Sequence, residues 1–535
     1  MKMKKIIAIL LVFMMTCGMV TGCKKKGDTT KSGSLKVGIP QKVSVIDYND
    51  NAFTNYIEEG TGIQIEFVYF SSSASEYKQQ LSLMAASNEE FPDVILGFNG
   101  LGTRTVNQYG EDGYFVDLTD YIDSADAFKA HYNNLSDEVK ELVDLRMTNI
   151  NDGKIYGMPY VGQVLIDNIQ SLGFINQKWL DAVGMKIPTT VSELNNVLRA
   201  FKTQDPNKNG IADEIPMLGG NMLMDYVINS YIYYEEAHPY NIDTNGKIYA
   251  PYITNEYRQA LIELNKMCKE GLYSDMSFTV TSNTELKNLY TPSSGTATVG
   301  IICGHPSNKT NTASAVLDEY VALPPLSDAT GKGGYLVVSE DTVSLAGFVT
   351  KDCEDVATAM EFIDFFYEDE TIKRGRHGVK DVDWESGSGV DIYGNEVTTV
   401  VINEGAFFEG DSTWCTNILG IHTPDNYNCV SAEGNASGQK TTRLLAGSYE
   451  LISNYPVKEE TVRNLEYTDE EDAIKEDFEG TLNNYVRDEA KQFVMGTKNP
   501  SSDSDWNAYV KQIEELNLSG VLKIKQDAYN RSLSK

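Results

Sequence analysis

Residues 63–100 read IQIEFVYFSSSASEYKQQLSLMAASNEEFPDVILGFNG, and this stretch decides the fold class. Ile63, Ile65, Phe67 and Tyr69 recur at every second position, the period of a strand. Ser73-x-x-Glu76 is a capping-box pattern, and Tyr77, Leu81 and Met84 follow at helical spacing. Pro92-Asp93 then opens the short apolar run Val94-Ile95-Leu96. Upstream, Leu35, Val37 and Ile39 alternate as another strand, and Phe53 and Ile57 mark one face of a short helix. The order β-α-β-α-β implies an α/β fold with parallel strands and right-handed crossovers. Ligands of such sheets sit beyond the carboxyl ends of the strands. Gly97-Phe98-Asn99-Gly100 should occupy that position, so Asn99 is a candidate ligand contact.

The whole chain has 535 residues, with 45 Lys and Arg against 77 Asp and Glu, a formal charge of −32. That acidity excludes a nucleic-acid binder, whose phosphate affinity needs clustered cations. It equally excludes adsorption to an anionic membrane face by charge. At the start, Lys2, Lys4 and Lys5 precede the apolar run Ile6–Phe13, and Val20-Thr21-Gly22-Cys23 closes the segment. Residues 1–22 read as a secretory signal resembling that of bacterial lipoproteins, with Cys23 as the lipid-bearing residue. Residues 23–34 form a tether, apolar-free from Lys24 on. No later apolar run approaches the ~18–20 residues of a membrane span. The expected location is therefore the extracytoplasmic face of the cell membrane, held by lipid alone. Cys268, Cys303, Cys353, Cys415 and Cys429 remain in the body. Their odd number leaves at least one free thiol, and Cys415 with Cys429 is open as a pair.

Farther along, Asn151-Asp152-Gly153-Lys154-Ile155-Tyr156-Gly157-Met158-Pro159-Tyr160 reads as a tight turn feeding an extended segment. Helices are predicted at 177–182, after Pro188-Thr189-Thr190, and over 256–271, 354–368 and 505–531, the last broken at Ser519-Gly520. Asn245-Gly246 centres a hairpin over 242–249. Residues 380–440, rich in Gly, Ser and Asn, are expected to loop over the surface.

The Cys23 signal, Phe91-Pro92-Asp93-Val94 and Asp152-Gly153-Lys154-Ile155-Tyr156-Gly157-Met158-Pro159 occur in order. Trp179-Leu180-Asp181-Ala182-Val183-Gly184, Ala260 to Gly271-Leu272, and Trp506-Asn507-Ala508-Tyr509 follow. Together they resemble the extracellular solute-binding proteins of ABC importers, family 1, in the oligosaccharide-binding group. The resemblance implies a two-lobed periplasmic-binding-protein-like fold of type II, with discontinuous lobes joined by hinge strands. It places 35–160 and about 295–350 in lobe 1, and about 161–294 and 351–535 in lobe 2. It also implies an oligosaccharide ligand, ABC permease subunits as partners, a monomer and no catalytic residue.

Asp205-Pro-Asn207-Lys-Asn209-Gly210-Ile211-Ala-Asp213-Glu214 carries chemistry of its own. The side chains of Asp205, Asn207, Asn209, Asp213 and Glu214, with the Ile211 carbonyl, space hard oxygens as an EF-hand loop does around Ca2+. Pro216 stands where the bidentate Glu of that motif belongs, so Asp213 and Glu214 must supply its charge. The ending resembles the calcium loop of alginate-oligosaccharide-binding relatives, which implies a structural ion. An Asx-rich connecting loop without an ion is the other reading.

None of the five His precedes a Glu, so HExxH is absent, as are the G-x-S-x-G elbow and the P-loop. Cys303 and His305 are the nearest approach to a nucleophile and base. Sugar sites combine aromatic platforms with polar edges. Trp179 and Trp506 lie on amphipathic helices and read as core, whereas Trp384 and Trp414 fall in irregular segments. Trp384, Trp414, Tyr160 and Asn99 are thus the predicted ligand contacts. The reading is a lipid-anchored receptor delivering an oligosaccharide to an ABC importer. A surface glycan hydrolase or lyase, and a peptide-binding or sensor-coupled receptor, are the alternatives.

Overall fold

Asn51 begins the first helix, Ala52–Thr61, by accepting the Phe53 N–H, and Gly62 ends it at φ +70, a left-handed conformation that suits glycine. That helix returns the chain for a parallel strand. The computed structural model describes residues 33–533 apart from 163–168, 170–171, 281, 329–330, 332, 339–342, 404, 409, 417–418, 433–435, 456–461, 463–464 and 466. The signal segment 1–22 and Cys23 lie outside the described residues. The tether is shorter than expected, because Gly33 and Ser34 already pair with Ile63 and Gln64.

In chain order the strands begin with β1 (Gly33–Pro40), β2 (Ile63–Phe70), β3 (Val94–Leu96), β4 (Met158–Val161) and β5 (Gly173–Asn176). Next come β6 (Ile215–Met217), β7 (Asn241–Ile242), β8 (Ile248–Tyr249), β9 (Val299–Cys303) and β10 (Tyr320–Ala322). The last are β11 (Val343–Val349), β12 (Trp384–Val390), β13 (Glu396–Val401), β14 (Gly420–Ile421) and β15 (Val430–Ser431).

Two sheets carry two lobes. The first is ordered β14-β4-β11-β3-β1-β2 and the second β10-β5-β9-β6. β1 is parallel to both β2 and β3, as the sequence predicts. β11 then enters antiparallel between β3 and β4, with Phe348 opposite Ile95 and Ser344 opposite Tyr160. Each sheet has its own apolar core. One gathers Val37, Ile57, Ile95, Val161, Phe348, Ile363 and Ile421, and the other Ile175, Trp179, Leu198, Ile301, Leu323, Leu444 and Phe493.

These cores divide the chain differently from the sequence expectation. Residues 297–338 belong with the second core, and 343–367 and 414–421 with the first, rather than 295–350 with lobe 1 and all of 351–535 with lobe 2. Strand pairing across hundreds of residues leaves no local periodicity to read. Residues 380–440 are also more regular than expected, since β12, β13 and β15 form a three-stranded sheet there. The helix 74–87 does start after Ser73, but the Ser73 side chain makes no cap, and Glu76 instead accepts from Ser71 Oγ at 2.5 Å. The C-terminal helices break at Asn517, φ +67, rather than at Ser519-Gly520. Elsewhere local signals are realised: Thr190 and Glu193 form a reciprocal capping box on the helix Val191–Thr203.

Candidate functional site

The chain leaves the first lobe from β4 and returns on β11. Val161 faces Val343 at one end of this crossing, and Ile169 bridges Val338 antiparallel at the other. The two passes are thus paired at both of these points, which is how a hinge is built. At their root in the first lobe, a row of side chains crosses four strand ends. Asn99, just past β3, donates its Nδ2 to Ser344 Oγ at 3.5 Å. Ser344 sits opposite Tyr160 in the β11–β4 register. The half-buried Tyr160 ring meets His422 edge-to-face, 4.8 Å between centroids at 86°. His422, directly after β14, donates its backbone N–H to Val161 O at 2.9 Å.

The row has a firm back. His422 stacks on Tyr427 at 4.1 Å, and His377 Nε2 lies 3.2 Å from the Tyr427 carbonyl. Arg376 covers the Tyr427 ring at 5.0 Å. Burial, with the Arg376 charge nearby, pushes His377 and His422 down to about 3, so both rings are neutral at physiological pH. His422 Nδ1 is buried without a hydrogen-bond partner. Across the hinge, three residues before Val338, Tyr335 packs edge-to-face on Tyr233 at 5.8 Å. Tyr335 and Tyr455, with Thr189, Ser327 and Gly333, line an open cavity there. The wall on each side therefore offers aromatic faces edged by hydroxyls, amides or an imidazole, the chemistry that suits a sugar.

Of the four predicted contacts, Asn99 and Tyr160 come together in this row. The two tryptophans do not. Trp414 is 1% exposed, donates Nε1–H to Thr54 Oγ1 at 2.8 Å and packs among Phe53, Phe67 and Phe366. Trp384 is 2% exposed, donates to the Gly378 carbonyl at 3.0 Å and lies under Lys380. Neither presents a free ring face, because irregular sequence around an aromatic does not imply an exposed one. Ser344 and His422 were missed by sequence reasoning; only the strand register brings them beside Tyr160.

The segment 205–214 lies at the opposite end of the second sheet. It feeds directly into β6, whereas the hinge-side loop starts after Met217 at that strand's other end. Asp205, Lys208 and Gly210 adopt positive φ values of 46, 57 and 74, which curl the loop tightly. Asp205 accepts the N–H groups of Asn209 and Gly210, and Asn209 Oδ1 accepts that of Ile211 at 2.7 Å. Asn207 and Asn209 point amide N–H groups at Asp213, 3.1–3.3 Å away. Glu214 Oε1 is buried and unpartnered. Its carboxyl is held above the ordinary range by burial and by the Asp213 and Asp205 charges. Among the described residues no three His, Cys, Asp or Glu side chains converge as a metal cluster by themselves. Here two Asn amides and the Ile211 carbonyl complete the oxygen set, so the residues fit a hard cation that would engage the unpartnered Glu214 Oε1.

Other chemistry fares worse. Cys303 is buried, pushed up to about 12, and donates to the Gly219 carbonyl at 2.9 Å, while His305 Nδ1 faces Ser307 Oγ. The thiol is thus protonated and engaged, not a nucleophile. Cys268, Cys303, Cys353, Cys415 and Cys429 are thiols rather than disulfides, so a Cys415–Cys429 bridge is not formed. Among the described residues no helix is long and apolar enough to cross a membrane.

The profile of the bacterial extracellular solute-binding proteins matches residues 47–373. The chain is 25% identical over 241 residues to FusA of Streptococcus pneumoniae serotype 4, a fructooligosaccharide ABC transporter substrate-binding protein, covering 43% of each chain. It is 26% identical over 343 residues to the polygalacturonan/rhamnogalacturonan-binding protein YtcQ of Bacillus subtilis, covering 62% of this chain and 63% of the relative. A third relative is lipoprotein LipO of Bacillus subtilis, 26% identical over 48% of each chain. The matches thus span between about two fifths and two thirds of these relatives' lengths.

Solved structures agree over more of the chain. An extracellular solute-binding protein of Bifidobacterium longum subsp. infantis superposes with TM-score 0.74 at 21% identity, over 94% of this chain and 99% of that one. With the same coverage, an EF-hand mutant of FusA bound to fructo-nystose gives 0.70 at 19%, and alginate-binding AlgQ2 without calcium ion 0.66 at 20%. At such identities these likenesses establish the two-lobed α/β fold.

Proposed function

The chain belongs to the bacterial extracellular solute-binding protein family, and from that premise we propose that it captures an oligosaccharide between its lobes and hands it to an ABC importer. The observation that carries this reading is the row Asn99–Ser344–Tyr160–His422 at the hinge root of the first lobe, matched on the second lobe by the Tyr335 and Tyr455 cavity. A sugar's apolar ring face would lie on Tyr160, with its hydroxyls meeting Asn99, Ser344 and the neutral His422. Closure about the paired crossing segments would bury it and present both lobes to the permease. Nothing in this cycle makes or breaks a bond. The oligosaccharide-binding relatives support the solute class.

Cys23 carries the lipid that keeps the receptor at the outer face of the membrane, as the lipoprotein relative suggests. Segment 205–214 holds Ca2+ through Asp205, Asn207, Asn209, the Ile211 carbonyl, Asp213 and Glu214, in a structural role away from the solute. The receptor works as a monomer. The deciding experiment is a thermal-shift and calorimetric screen against fructo-oligosaccharides, oligogalacturonates, other glycans and peptides. Tight binding of one glycan class without product formation is expected. Glycan cleavage, or stabilisation by peptides alone, overturns the proposal.

A further inference from the structure

The hairpin β12–β13 is anchored in one lobe and touches the other. Its base is fixed by Trp384, bonded to the Gly378 carbonyl just after the helix Asp369–His377. That helix packs on the first lobe: Arg374 covers the Tyr56 ring at 4.5 Å, and Tyr56 and Thr371 hydroxyls meet at 3.4 Å. Between base and tip, Glu385 to Gly389 are mostly exposed, and the pairing with β13 slips between Ser386 and Gly389. The β12 strand is therefore held there mainly by its ladder to β13, which pairs in turn with β15 through Val400 and Val401.

The tip, by contrast, is shaped in detail. Asp391 Oδ1 accepts the N–H groups of Tyr393 and Asn395 at 2.8 Å each, and Gly394 turns the chain at φ +85. Asn428 Nδ2 ties the same Asp391 at 2.6 Å. This cradle projects Tyr393 edge-to-face onto Tyr449, 4.7 Å apart at 89°, and Ile392 and Tyr393 both pack on the second core. Tyr449 lies on the helix Ala436–Asn454, thirteen residues and about 20 Å of helix past its start. The tip is thus a non-covalent attachment to the second lobe, made through side chains.

We propose that this hairpin is an inter-lobe strap, clasped through Tyr393 on Tyr449, that limits how far the lobes part. The inference rests on the two-lobed receptor reading. An edge-to-face aromatic pair shifts a two-state balance by on the order of threefold to tenfold, enough to set the resting population of an open receptor without locking it.

The test needs no solute: small-angle scattering and hydrogen exchange on the full chain, comparing wild type with Tyr393→Ala, Tyr449→Leu and Tyr393→Phe. The two contact-breaking variants should show a larger radius of gyration and faster exchange over 445–454 as well as 391–395, while Tyr393→Phe stays with wild type. Tyr449→Leu decides the matter should Tyr393→Ala fold poorly. Unchanged dimensions, with faster exchange confined to the hairpin, overturn the strap. Failure of every glycan to bind would sink the receptor reading and leave this result untouched.

Discussion

Segment 205–214 and the row Asn99–Ser344–Tyr160–His422 are built in opposite ways. The loop draws its oxygens from ten consecutive residues and closes mainly through bonds within the segment, such as Asn207 to Asp213, with Asn207 also donating to the Ala297 carbonyl at 3.2 Å. The row draws Asn99, Tyr160, Ser344 and His422 from four strand ends scattered over more than half the chain. A local device survives wherever its segment is folded, whereas an assembled one exists only when the whole first sheet does. The two can therefore be broken separately.

Acid should break the row's lobe first, and with the largest effect. His377 and His422 are both held neutral, far below the ordinary value of 6.5. Unfolding lets them take up protons, so their contribution is complete above 6.5 and is lost as pH falls toward 3. Tryptophan fluorescence and exchange should report the first lobe melting before the second on acidification, and His422→Phe should flatten that slope. Next in size, Trp414→Ala should cost about 3–5 kcal/mol of first-lobe stability by emptying its aromatic cluster. Trp414→Phe, which keeps most of the volume, should leave glycan affinity intact in calorimetry. A loss of affinity with stability retained would restore Trp414 as a contact.

The loop responds to different handles. Calcium at a hundred times its dissociation constant should stabilise the second lobe by about 2.7 kcal/mol, and EDTA or Asp205→Ala should remove that gain in thermal shift. Because Glu214 is held above its ordinary range, its ionisation costs the ion-free chain stability as pH rises. The calcium gain should consequently be larger at pH 7 than at pH 5; an equal gain at both would detach Glu214 from the ion. The smallest effect belongs to Tyr160→Ala, expected to weaken whichever glycan binds by roughly tenfold, about 1.4 kcal/mol, while the calcium response stays whole.

The same contrast explains what could be read in advance. The parallel strands β1, β2 and β3, the helix cap at Thr190 and the tight Asx-rich turn of 205–214 rest on neighbours in sequence, and each was legible. Val299–Cys303 and Val343–Val349 are both short, buried, apolar runs, and nothing local says that one completes the second sheet and the other the first. The lobe boundaries were misdrawn for that reason. Trp384 and Trp414 were misjudged because Gly- and Ser-rich surroundings suggested exposure, when the glycines instead let other chain segments come close. Gly389, for example, leaves room for Val430, which a Cβ would meet at 2.7 Å.

The insertion of β11 between β3 and β4 also sets a timetable. Ile95 pairs early with Gly38 but gains its second partner only when Phe348 arrives, and Tyr160 gains its edge strand only with Gly420. A chain threaded out amino-end first must therefore hold the growing edge of its first sheet unpaired while the second sheet's strands emerge. Such long-range closure folds slowly and exposes sticky edges meanwhile. The receptor is then a natural client for folding helpers at the site where it emerges, and truncation anywhere before residue 421 leaves no lobe complete.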